Sequence, residues 1–317
     1  MDIAILLLTF NRLDYLQSVF EKIREIKPKR LYISSDGPRE CVEGEAQKVQ
    51  EVRNYILNHI DWECEVKTRF LDKNSGGCAN GVSGAVTWFF ENEQEGIILE
   101  DDCLPSTDFF SYCKILLERY RDNKKIYSIC GYLPTDFANS KYSYEFASVS
   151  HCWGWASWAD RWQKFSLNLE NMQSKDISSL FINSNAKKYW KYILQKMKNK
   201  EIDSWYFPWN FCISANKGLT IFPNNNLISN IGNSGVHYDS CEDKRLNSKI
   251  FNMEINKFND TFKTKKMDNI LWKYFYDLQN PFKEKFIKKI FSIVNSDNHK
   301  VLTILGIKIK FKRKKKL

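Results

Sequence analysis

The first 130 residues alternate between two hydrophobic periods. Ile3-Ala4-Ile5-Leu6-Leu7-Leu8 is an unbroken apolar run, the pattern of a strand covered on both faces. Leu13, Leu16, Val19, Phe20 and Ile23 then recur at helical spacing. Residues 31–35 predict a second strand, stopped by Asp36-Gly37-Pro38. A helix over 42–60 and a third strand over 64–71 follow. Gly76-Gly77 opens a helix running to Phe90, and Ile97-Ile98-Leu99 forms a fourth strand leading into Glu100-Asp101-Asp102. Residues 109–120 predict an amphipathic helix and 126–130 a fifth strand. Strands and helices alternating at this spacing predict an α/β fold with a mostly parallel twisted sheet flanked by helices. Its site lies in the loops at the strand C-termini.

The pattern changes after about residue 135. Seven of the ten tryptophans lie between Trp153 and Trp209, among helices expected near 155–165, 186–199 and 206–216. Asn224-Asn225-Asn226 and Gly232-Asn233-Ser234-Gly235 mark loops. No proline-rich linker intervenes, so this half is expected to pack on the sheet. Phe282, Phe286, Ile287, Ile290, Phe291 and Val294 fall on one helical face edged with lysine. Ile307-Lys308-Ile309-Lys310-Phe311-Lys312 then alternates.

Charge refines this division. The 317 residues carry a net charge of +10. From Lys283 onward there are twelve Lys or Arg against Glu284 and Asp297, a surplus that accounts for the whole net charge. The body is therefore near neutral, which argues against a nucleic-acid-binding surface on it. A basic tail with apolar faces suits either an anionic membrane surface or a solvated, partly disordered end. The nine cysteines are scattered, odd in number and without a C-x-x-C pair, as expected of reduced thiols in the cytoplasm. The first apolar run is six residues with an acidic flank, too short for a signal segment or a membrane span.

Three segments carry candidate chemistry. Acids 100–102 follow a buried strand, where they repel one another unless a cation neutralises them; carboxylate oxygens suit Mg²⁺ or Mn²⁺. A solvated acidic turn is the plainer alternative. Thr9-Phe10-Asn11-Arg12 and Ser35-Asp36-Gly37-Pro38 end neighbouring strands where nucleotides bind in open α/β sheets, although capping and turn chemistry also explain Asn11 and Asp36. Asn74-Ser75-Gly76-Gly77-Cys78-Ala79-Asn80-Gly81 opens a helix whose N-terminus favours phosphate. It contains neither a dinucleotide-binding nor a P-loop signature.

The order of these segments resembles GT-A-fold nucleotide-diphospho-sugar transferases, in particular bacterial glycosyltransferases similar to N-acetylglucosaminyltransferase I. The resemblance takes in residues 98–105, His151-Cys152-Trp153-Gly154-Trp155-Ala156-Ser157-Trp158, and 229–237, roughly 1–245 in all. It implies a transferase domain over 1–245, with a nucleotide-binding half at 1–130 and an acceptor half at 131–245. A helical, basic extension over 246–317 follows.

It further implies a UDP-sugar donor, Mn²⁺ or Mg²⁺, and a glycan or lipid-linked acceptor in bacterial surface polysaccharide synthesis, with inversion by a single displacement. Thr9, Arg12 and Asp36 would hold the nucleoside, with Asp36 on the base, and Asn11, Asn74, Gly77 and Glu100 complete the donor set. Asp101 would face the sugar or ribose, Asp102 would ligate the metal, and His237 would be a second ligand or a phosphate contact. Asp203 is the candidate general base, or else a helix cap. Relatives often carry an acid at the position of Tyr206, and if that acid is their base the assignment shifts, for instance to Glu201. A sugar-1-phosphate nucleotidyltransferase and a non-catalytic glycan-binding scaffold at the membrane are the competing readings.

Overall fold

Strand β1 (Ala4–Thr9) is buried along its whole length. It lies between two parallel neighbours, β2 (Arg30–Ser35) and β4 (Glu95–Glu100), which is why its sequence is apolar on both faces. The computed structural model describes residues 1–134, 140–172, 184–232, 246–276, 291–295, 299–304 and 307–312. Helix α1 (Leu13–Ile26) buries Leu16, Val19, Phe20 and Ile23 and ends at Lys27 in the left-handed conformation, φ 47°. Helix α2 (Glu45–His59) follows β2, and β3 (Glu65–Phe70) pairs parallel to β2 at the sheet edge. Helix α3 (Cys78–Asn92) leads into β4. Then come β5 (Cys103–Pro105), α4 (Thr107–Tyr120) and β6 (Ile126–Cys130).

The second half completes the same sheet. Strands β7 (Tyr144–Ala147), β8 (Trp155–Trp158) and β9 (Leu219–Pro223) give the order β3-β2-β1-β4-β8-β6-β9-β7. Four of the seven pairings are parallel, and β8 enters antiparallel between β4 and β6. The helix expected over 155–165 is therefore corrected to a strand followed by the single-turn α5 (Ala159–Trp162). Residues 155, 158, 162 and 165 are aromatic at helical spacing, but the backbone of 155–158 is consumed by pairing on both sides. Helices α6 (Ser184–Lys198) and α7 (Tyr206–Ala215) complete this half. Trp155, Trp162, Trp205 and Trp209 join Leu6, Leu8, Tyr32 and Phe89 in one core. Strand β10 (Ile228–Asn230) pairs antiparallel with β5 in a separate two-stranded sheet.

The chain divides into two compact units, Met1–Ile270 and Leu271–Leu317. The first reaches past residue 245, where the basic extension was expected to begin. Asn247 N donates to Asn230 O (2.8 Å), Met253 N to an Asp108 carboxylate oxygen (2.7 Å), and the buried Asn259 amide to Glu145 (2.8 Å). Helix α8 (Lys265–Leu271) supplies the last residues of this unit, up to Ile270.

The second unit contains an antiparallel sheet of β11 (Phe291–Asn295), β12 (His299–Ile304) and β13 (Ile307–Lys312). Its strands correct the helical extension expected there. Residues 291–295 pair one by one with β12, from Phe291 opposite Ile304 to Asn295 opposite Lys300, and the alternation of 307–312 suits a strand. Residues 281–290 lie outside the described ones. Among the described residues no helix is long and apolar enough to cross a membrane.

Candidate active site at the strand ends

The C-terminal ends of β1 and β4 adjoin because the two strands pair in parallel, with Leu8 opposite Glu100. Arg12, three residues past the end of β1, meets Asp101 and Asp102, which directly follow β4. The Arg12 guanidinium hydrogen-bonds Asp101 Oδ1 and lies 2.9 Å from Asp102 Oδ2. Asp101 and Asp102 are buried, at 2% and 8% exposure. Burial opposes the Arg12 charge, but Asp101, Asp102 and Glu100 outweigh it, so its pKa is raised.

One guanidinium does not balance three acids. Burial, then Asp102 and Asp101, pushes Glu100 up to about 8. Burial also pushes Asp101 up to about 6, against the pull of Arg12. This surplus negative charge, offered by hard oxygen donors, fits a divalent cation of the Mg²⁺ or Mn²⁺ kind. Such ions are often held by one or two carboxylates together with substrate phosphates. Among the described residues no group of three or more His, Cys, Asp or Glu is arranged as an all-protein metal cage.

Asp102 is fixed from a distant part of the chain. Pairing of β5 with β10 sets Asn230 opposite Cys103, and Ile231 N donates to Asp102 O at 2.9 Å. Asn230 Nδ2 reaches Asp102 Oδ1 at 3.4 Å. Gly232 comes so close that a Cβ there would lie 2.6 Å from Asp102 Oδ2. The motif over 229–237 was singled out for the resemblance and for His237, which lies outside the described residues.

The second strand end is a built turn. The Asp36 carboxylate accepts hydrogen bonds from Gly37 N, Ser75 N, Ser75 Oγ and Asn74 Nδ2, at 2.7–3.3 Å. Asn74 also donates to Gly37 O at 3.1 Å, so both residues bind the glycine-led loop to the end of β2. The buried Arg53 of α2 closes the turn from beneath, donating to Ser35 Oγ (3.0 Å), Asp36 O (3.1 Å) and Leu71 O (2.7 Å). Sequence reading had no signal for Arg53, because an arginine on a helix reads as solvated. Asn11 donates to the buried Glu45 (2.9 Å), which also holds Arg39. Thr9 Oγ1 is buried with no hydrogen-bond partner among the described residues.

Gly76 and Gly77 open α3 with φ of 89° and 124°, a backbone that side chains resist. At the helix N-terminus, where a phosphate was expected, stands a carboxylate of the protein itself. Asp203 accepts from Cys78 N (2.7 Å) and Ala79 N (3.1 Å) across 125 and 124 residues of sequence. A Cβ on Gly77 would overlap Asp203 Oδ2. Asp203 is thus a cap supplied from a distant part of the same chain, and it is exposed. A carboxylate has about four acceptor sites, so these two bonds leave it able to accept from a hydroxyl. Glu201 is instead tied to Lys196 and Asn199, and Tyr206 donates to Ser150 O at 3.0 Å.

Cys78 links the two clusters. Burial raises its pKa to about 12, with Glu100, Asp203 and Asp102 adding to the rise and Arg12 opposing it. The glycine-led helix start and the acidic strand end therefore lie within electrostatic reach of one another. The tryptophans clustered between 153 and 209 do not line an open site. Trp153, Trp155, Trp158, Trp162, Trp205 and Trp209 are each at most 6% exposed.

No family model matches the chain, and neither does any curated protein. Among solved structures it is similar to HddC from Yersinia pseudotuberculosis, at 10% identity over 54% of this chain and 85% of that one, with a TM-score of 0.33. A UDP-glucose pyrophosphorylase complexed with UDP-glucose shares 10% identity over 73% of this chain and 93% of its own, with a TM-score of 0.38. The glycosyltransferase GlyE of Streptococcus pneumoniae TIGR4 shares 11% identity over 63% of this chain and 44% of its own, with a TM-score of 0.29.

Proposed function

We propose that the chain is an enzyme acting on nucleotide sugars, and specifically a metal-dependent inverting glycosyltransferase. The observation that carries this reading is the cluster of Arg12 with the buried Asp101 and Asp102 at the C-terminal edge of the sheet, with more negative charge than its arginine balances. Asp102 would hold the cation, with His237 as a second ligand, and the ion would supply charge neutralisation for the departing diphosphate. Arg12 fixes both carboxylates. Thr9, Asn11, Asp36, Asn74, Gly77, Glu100 and Asp101 line the donor side, where Asp36 and Asn74 act by shaping the loop that faces it. Asp203, at the start of α3, takes the proton of the acceptor hydroxyl in a single displacement.

A UDP-sugar donor and a glycan or lipid-linked acceptor in bacterial surface polysaccharide synthesis complete the proposal. A thermal-shift panel of nucleoside diphosphates, each with and without Mn²⁺, tests it. Stabilisation by UDP that requires Mn²⁺ is expected. A shift with no nucleotide would overturn the reading, and pyrophosphate-forming activity on a sugar 1-phosphate and a nucleoside triphosphate would replace it with nucleotidyl transfer.

The second unit is proposed to seat the enzyme on the inner face of an anionic membrane, because lysine recurs at 308, 310 and 312 along β13 and basic residues continue to 316. Full-length protein is expected to pellet with anionic liposomes while a 1–270 truncation stays in the supernatant. Equal pelleting of the two contradicts this.

A further inference from the structure

A cleft of about 610 Å³ runs along α3, away from the acidic cluster. Its lining includes Arg69 of β3, Asn80, Trp88 and Glu91 of α3, and Phe165 and Ser166 beyond α5. Two of these present aromatic rings that are braced from behind. Trp88 is half-buried and meets Tyr32 edge-on at 5.3 Å, and Phe165 stacks on Trp162 at 4.2 Å with 11° between the planes. Planar polar groups lie among them. Arg69 donates to Ser34 Oγ at 3.2 Å, and its remaining N–H donors have no partner among the described residues. Its guanidinium extends over Gly84, where a Cβ would come within 3.0 Å of Nη2. The exposed Glu91 has no hydrogen-bond or ion-pair partner among the described residues either.

We infer that this cleft binds the neutral oligosaccharide part of the acceptor. A pyranose offers an apolar face of C–H groups and a rim of hydroxyls. Rigid aromatic rings take the face, and the fork of a guanidinium, a carboxylate or an amide takes pairs of hydroxyls. The charges of Arg69 and Glu91 balance, which favours a neutral glycan over an anionic one.

The cleft also joins the site. Asn80 Nδ2 holds Ser75 O at 3.2 Å, in the same loop that Asp36 secures, and Asn80 follows directly on the Cys78 and Ala79 amides held by Asp203. From Asn80 to Glu91 the helix rises about 16 Å, the reach of a short oligosaccharide. Its role as the acceptor site rests on the transferase reading. Its binding of glycan does not.

The test is calorimetric titration of the full chain, without nucleotide, with linear neutral tetrasaccharides of glucose, galactose, mannose, rhamnose and N-acetylglucosamine. Wild type is expected to bind at least one of them. Ser166→Trp, which fills the cleft from an exposed position, and Glu91→Ala should each weaken that binding about tenfold. Both variants should keep the wild-type response to UDP and Mn²⁺. Binding by no tetrasaccharide, or binding that survives both substitutions, overturns the inference. If glycan binding behaves as expected while no nucleotide binds, the cleft stands and the transferase reading falls.

Discussion

Asp203 carries two assignments that a single substitution separates. As the cap of α3 it satisfies two of the amides that every helix start leaves unpaired. As the proposed base it must accept a proton. Asp203→Asn keeps an oxygen acceptor for the helix and loses the basicity, so stability measured by urea denaturation should fall by less than about 1 kcal/mol. Transfer should fall by about 100-fold or more. A variant that transfers within a few-fold of wild type would leave Asp203 a cap alone. At this scale the sequence revealed chemistry but not commitment. The acids at 100–102 and the polar strand ends stood out, because charge beside apolar runs is unusual. That Asp36 spends its carboxylate on Ser75, Asn74 and Gly37 was not legible, since those bonds depend on how a loop some forty residues away folds back. Arg53 was missed for the same reason, and Asn230 and Gly232 stood within a quoted motif without their contacts to Asp102 being legible. Their roles arise from pairing between distant segments.

Among the elements, α3 depends most directly on backbone chemistry. Gly77 combines φ 124° with a contact that leaves no room for a Cβ beside Asp203. Gly77→Ala should therefore cost about 1–3 kcal/mol in urea denaturation. Gly84→Ala, inside the same helix and without a positive φ, should be neutral or mildly stabilising, because alanine favours a helix interior and the Arg69 Nη2 that the added Cβ meets at 3.0 Å is the end of a flexible side chain. Equal effects of the two would show that the loop tolerates a side chain. The elements read correctly from sequence included all of β1 to β4, β6 and α1 to α4, where a single period runs between clear turn signals. Those read incorrectly carried a misleading period. Aromatics at 155, 158, 162 and 165 imitate a helix face, and apolar residues at 287, 290, 291 and 294 do the same, yet 155–158 and 291–295 are strands. The short β5 and β7 span three and four residues, too few for any period to show.

Across the whole molecule, the parallel half of the sheet places the C-terminal ends of β1, β2 and β4 side by side, and the site follows from that arrangement. The antiparallel insertion of β8 then lets residues 206–232 pack against the same sheet and return β10 to Asp102. The segregation of charge into residues 283–317 was legible at once, and the strands of that unit were not. The central claim is that Asp102 helps hold a divalent cation against a nucleoside diphosphate. It is tested most directly by calorimetric titration of UDP into wild type and Asp102→Asn, each with and without Mn²⁺, after circular dichroism has shown both to be folded. The account predicts UDP binding by wild type that requires Mn²⁺ and is lost in Asp102→Asn. Binding of equal strength without the metal, or undiminished in the variant, would contradict it.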